Sequence, residues 1–163
     1  MDSLGILKKL EDGRKLGIFE KILAVTNGSI TQLLEVYTGE PVRIRTLRQE
    51  ISGCDEETAK RLGIARGGKV NFREVEITDR KGNVLVFAKS LAPIERLDGR
   101  FREDLMKADV PIGKLFVEHG IEARRELLSV NIEGGNLTRE YNIIHGGKIL
   151  MSIEERFKLG VFK

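Results

Sequence analysis

The sequence predicts an α+β domain, and three observations carry that reading. The first 37 residues place apolar side chains at helical spacing. Most of the remainder falls into short segments of alternating character. Polar or glycine-containing turns separate those segments. At 163 residues the chain reads as one domain, 1–163, with room for one real core.

Leu4, Leu7 and Leu10 form a first helical stripe; Leu16, Phe19 and Leu23, with Ile22 at the margin, form a second. Asn27-Gly28 is a turn. Ser29 is the expected N-cap of a third helix carrying Ile30, Leu33, Leu34 and Tyr37, which Gly39 stops and Pro41 follows. Pro41 to Ser52 reads as a strand, with Val42, Ile44 and Thr46 on one side and Arg43, Arg45, Leu47 and Ile51 on the other. Asp55 caps a short helix that ends at Gly63 and packs through Ala59 and Leu62. Ile94 to Val110 is charged and partly helical. Pro111-Ile112-Gly113 opens a helix running to Gly120. Ile121 to Ile132, Leu137 to His145 and Ile149 to Leu159 are strands, joined by Gly134-Gly135-Asn136 and Gly146-Gly147.

Val70 to Pro93 is the most informative stretch, two strands around the turn Asp79-Arg80-Lys81-Gly82-Asn83. Asn71, Arg73, Val75 and Ile77 share one face of its first strand; Phe72, Glu74, Glu76 and Thr78 share the other. Arg73 therefore lies on the apolar side, where a guanidinium requires an anion from the protein or from a ligand. The last strand poses the matching question. Met151, Ile153, Glu155, Phe157 and Leu159 share its apolar side, whereas Glu154 faces the other way with Ser152, Arg156 and Lys158. Arg73 and Glu155 can pair with each other, or reach water at a rim, or line a cavity. In a cavity, Arg73 would hold a carboxylate by a bidentate fork, and burial would raise the pKa of Glu155 toward acid–base use.

Composition narrows the class. Charged residues make up 33% of the chain, but the net charge is only +3 and the signs are interspersed, which argues against nucleic acid. The single Cys54 rules out an intrachain disulfide, and His119 and His145 lack metal-site spacing. Gly67-Gly68 has no phosphate-loop context. No apolar run reaches the length of a membrane span and no signal peptide opens the sequence, so a cytoplasmic protein without membrane association is expected.

Several of these segments, in order, resemble the chorismate lyase family. Arg73-Glu74-Val75 through Phe87-Ala88-Lys89-Ser90-Leu91-Ala92-Pro93 is similar to the family's Arg-Glu strand and the small-basic-hydroxyl strand that ends in proline. Val110-Pro111-Ile112-Gly113-Lys114-Leu115 resembles its Thr-Pro-Leu-Gly-Arg-Tyr segment, with Val110 departing from the threonine. Arg125-Glu126-Leu127-Leu128 resembles its Arg-Asp-Phe-Ile segment, and Glu155-Arg156-Phe157 its final Glu-x-Phe. Ser29-Ile30-Thr31 and Gly39 to Leu47 resemble its first helix start and first strand, so the likeness covers about residues 29–159 and is greatest to the archaeal branch.

The resemblance implies a single antiparallel sheet of about six strands with helices on one face and flaps over an internal site. It implies cleavage of chorismate to 4-hydroxybenzoate and pyruvate without metal or cofactor; a monomer or weak dimer is expected. Carried over by position, Arg73 would bind the ring carboxylate and Glu155 would face the ring hydroxyl as the acid/base group. Ile30 and Ile112 would supply main-chain groups near the ring, and Arg125 would be a candidate for the second carboxylate. The same fold serves as the effector-binding domain of GntR-type regulators, which makes a non-catalytic sensor of aromatic or sugar acids the alternative. Only about 28 residues precede the first match, too few for a winged helix, so the expectation is the stand-alone enzyme.

Overall fold

In the computed structural model, residues 2–107 and 110–162 are described; Ala108 and Asp109, inside the expected segment Ile94–Val110, lie outside that set. The strands are β1 (Arg43–Gly53), β2 (Lys69–Thr78), β3 (Val84–Pro93), β4 (Arg124–Glu133), β5 (Asn136–His145) and β6 (Lys148–Lys158). They form one antiparallel sheet in the order β1-β2-β3-β6-β5-β4. Two halves, β1-β2-β3 and β4-β5-β6, thus meet where β3 pairs with β6. The helices are α1 (Ser3–Leu10), α2 (Ile18–Val25), α3 (Ile30–Thr38), α4 (Glu56–Leu62), α5 (Gly99–Lys107) and α6 (Ile112–Glu118), with a 3-10 turn at Ile94–Arg96.

Local chemistry accounts for the helix ends. The Ser29 hydroxyl accepts from Gln32 N at 3.3 Å, and Asp55 accepts from Thr58 N at 2.7 Å, each satisfying an orphan donor of the first turn. Gly39 ends α3 at φ 73°, a left-handed conformation that suits glycine. Arg96 reaches the end of α4, donating to Leu62 O at 2.7 Å and Gly63 O at 2.8 Å, and also to Ile149 O at 2.8 Å on β6.

Two apolar clusters fill the face that carries Arg73. Leu23, Ile30 and Leu34 of α2 and α3 pack with Val75, Ile77 and Phe157. Phe101, Leu105 and Phe116 of α5 and α6 pack with Tyr141, Met151 and Ile153. Among the described helices, α4 alone sits on the opposite face, its Ala59 and Leu62 against Val70 and Phe72.

Strand parity holds over most of the sheet and fails at bulges. In β1 the register slips between Thr46 and Arg48, after which Ile51 pairs with Asn71. The extra residue reverses the alternation, so Ile51 shares the face of Ile44 rather than that of Arg43 and Arg45. A second slip lies in β6, where Ile143 pairs with Met151 but Ile144 pairs with Ile149. Leu150 is therefore the extra residue. It precedes Met151, so the alternation from Met151 to Phe157 is untouched.

Candidate active site

Arg73 on β2 and Glu155 on β6 both project to the helix-covered face and are 3% and 5% exposed. β3 runs between their strands. Arg73 pairs with Ser90, which pairs with Ile153; Val75 pairs with Ala88, which pairs with Glu155. Two strand spacings, about 10 Å, thus separate the strands bearing the charges. The intervening side chains, Ala88 and Ser90, are small. A hole opens above Ala88 because nothing on β3 is long enough to fill it.

That hole has a volume of about 60 Å3. Its floor is Arg73, Val75, Ala88, Ile153 and Glu155; its roof is the start of α3 at Ser29–Thr31 and the segment Val110–Gly113 leading into α6. Arg125 and Tyr141 close one side. All five residues expected at the site, Arg73, Glu155, Ile30, Ile112 and Arg125, line this one cavity. A cavity that takes one benzene ring measures ~150 Å3, more than the volume of this hole.

The polar partners differ from the simplest expectation. Glu155 is ion-paired with Arg139 of β5, Nε to Oε1 at 3.0 Å, rather than with Arg73. The Tyr141 hydroxyl donates to Glu155 Oε2 at 3.0 Å. Arg73 donates through Nη2 to Val110 O at 3.1 Å, which joins the floor to the roof. Arg125 donates to Asn27 O at 3.4 Å, and its guanidinium lies 5.8 Å from the centre of the Tyr141 ring. Glu154 lies on the other face, ion-paired with Arg156 at 3.4 Å.

Burial pushes the Glu155 carboxyl up from the ordinary carboxylate range, while Arg139, Tyr141 and Arg125 pull it down. Burial also raises the Tyr141 hydroxyl, so it remains a neutral donor. Arg139 and Tyr141 were not singled out from the sequence, although a signal was present. Leu137, Arg139, Tyr141 and Ile143 share an apolar strand face, the same pattern that marks Arg73. The histidines are occupied elsewhere: His119 contacts Asp104 at 2.7 Å and His145 contacts Glu122 O at 2.7 Å.

The model of the family described as chorismate pyruvate-lyase Rv2949c-like matches residues 24–163. The chain belongs to this family. Among curated relatives, it is 33% identical to a Methanocaldococcus jannaschii protein named "Putative lyase MJ0807", covering 85% of this chain and 77% of that one. It is 26% identical to a chorismate pyruvate-lyase of Mycobacterium tuberculosis, covering 92% and 84%.

Solved structures with the same fold include PhnF from Mycobacterium smegmatis, at TM-score 0.66 and 13% identity, covering 82% of this chain and 65% of that one. The effector domain of PhnF aligns at TM-score 0.64 and 12% identity, covering 82% and 90%. At these identities the likeness is one of fold. It agrees with the expected sheet.

Proposed function

We propose that the protein is a chorismate pyruvate-lyase that cleaves chorismate to 4-hydroxybenzoate and pyruvate within this cavity, independently of a cofactor. The observation that carries the reading is the convergence of Arg73 and Glu155 on one hole in a member of this family. Chorismate carries two carboxylates, and Arg73 and Arg125 are two guanidiniums suited to planar anions. Arg73 binds the ring carboxylate and Arg125 the carboxylate of the enolpyruvyl group. Main-chain groups of Ile30 and Ile112 hold the ring from above.

The reaction breaks the bond between the ring and the enolpyruvyl oxygen. It removes one proton from the ring carbon that bears the hydroxyl, and one proton is added to the enolpyruvate methylene, giving pyruvate. The ring becomes aromatic, so the drive lies in the substrate. Glu155 faces the ring hydroxyl and handles the proton, work for which a raised carboxyl pKa is suited. The site orients the substrate and excludes water. A roof that must open for entry must open again for product, so release of 4-hydroxybenzoate is slow.

The test is to incubate the purified protein with chorismate and follow 4-hydroxybenzoate. Glu155→Gln should lower kcat by ~10²–10⁴-fold and largely preserve 4-hydroxybenzoate binding; Glu154→Gln, on the other face, should leave kcat nearly unchanged. Product at only the spontaneous rate removes the enzyme reading. Tight binding of an aromatic acid without turnover favours a second reading, an effector-binding domain, which the PhnF effector-domain fold supports.

A further inference from the structure

We propose that Arg139 is a positioning residue for Glu155: it holds the carboxyl from behind, outside the ligand cavity, and ties it to the end of α2. The two residues are directly opposed on β5 and β6, and their heads meet at 3.0 Å. A further guanidinium nitrogen of Arg139 donates to Leu23 O of α2. The guanidinium lies 5.0 Å from the centre of the Tyr141 ring, and the hydroxyl of that ring reaches the second carboxyl oxygen. Two residues on one face of β5 thus engage both oxygens of Glu155.

Glu155 and Tyr141 line the cavity; Arg139, only 1% exposed, does not. It lines instead an adjoining hollow that shares Arg125 and Tyr141 with the cavity, so it meets Glu155 from the side away from Arg73. Taking a guanidinium fully out of water is costly, and an apolar residue could fill the same volume without that cost. The molecule carries the cost beside the carboxyl assigned to proton transfer. A glutamate side chain loses rotamer freedom when it is held in one pose, and one hydroxyl donor and one ion-paired guanidinium on the same strand enforce that pose. Arg139 cannot discharge, so it is a permanent cation next to the carboxyl. The other charged residues around the cavity, among those described, are Arg125 beyond the Tyr141 ring and Arg73 across the hole.

The kinetic consequence rests on the lyase reading; the electrostatic one does not, which lets the two fail separately. Arg139→Gln and Arg139→Lys would be compared with wild type for kcat and KM on chorismate across pH, and by 13C NMR titration of the Glu155 carboxyl in glutamate-labelled protein. For Arg139→Gln we expect the Glu155 titration to move up by about 1–3 pH units. We expect kcat to fall ~10–100-fold, with KM within about twofold of wild type. Arg139→Lys should restore part of both.

A raised KM with preserved kcat would mean that Arg139 touches the ligand, and an unmoved Glu155 titration would mean that the pair is not coupled; either overturns the proposal. Should Arg139→Gln fail to fold, Arg139→Lys and Tyr141→Phe decide: both should move the Glu155 titration upward by less, and no movement in either is disproof. If wild type does not turn over chorismate, the lyase reading falls while the titration still decides the role of Arg139.

Discussion

The floor and the roof of the cavity are built on different principles. The floor belongs to three neighbouring strands whose backbones are laddered together, and Arg73, Ala88 and Glu155 stand on it at spacings set by the pleat. The roof is two separate chain segments, the start of α3 and the lead into α6. Ser29 caps one; Gly113 lies beside it in the other, where an added Cβ would come within 3.3 Å of the Ser29 hydroxyl. A sheet holds charged groups at fixed distances. Two helix starts in contact can part without breaking a ladder. The fixed charges are therefore on the floor, and the roof is the part that can shift.

Enlarging the floor at its smallest residue should have the greatest effect. Ala88→Val puts two further methyl groups where the proposed ligand ring lies, at an overpacking cost of ~1–3 kcal/mol to ligand binding. The expected result is a ~10–100-fold loss of 4-hydroxybenzoate affinity by calorimetry with Tm nearly unchanged, because the side chain grows into existing space. A normal affinity would mean that the ligand does not lie over β3.

On the roof, Gly113→Ala should act in the opposite way, sparing the chemistry and loosening closure. A severalfold faster release of 4-hydroxybenzoate in stopped flow is expected, with the single-turnover rate retained. An equal loss of both rates would place Gly113 in the chemistry and dissolve the contrast.

Ser29→Ala tests the cap beneath that contact. It removes the oxygen that receives Gln32 N and should cost about 1 kcal/mol of stability in urea unfolding. Ligand affinity should fall in step, since the start of α3 is itself part of the roof.

The mildest effect concerns pH. A folded-state pKa above the unfolded one for Glu155 means that the native state holds its proton longer. Its stabilising influence is complete below the ordinary glutamate range, about pH 4.3. It is lost as pH rises through that range toward the raised value. Glu155→Gln lacks that loss, so its stability relative to wild type should increase with pH across this window. A flat difference between the two would mean that Glu155 is ionised normally in the fold.

The sequence by itself determined which residues face inward wherever alternation ran unbroken. Arg73 between Asn71 and Val75, and Glu155 between Ile153 and Phe157, were assigned to the buried face by period-two geometry, which is a local property of a strand. The caps at Ser29 and Asp55 and the stop at Gly39 were legible for the same reason, since each is settled within one helical turn. Arg139 was legible by that same rule, but its partner was not. The turn Gly146-Gly147 already placed β5 beside β6, but only the tertiary structure set their register, with its slip at Leu150, and so gave Glu155 to Arg139 instead of Arg73. It also decided the bulges at Leu47 and Leu150, where one extra residue reverses a face without any mark in the local pattern.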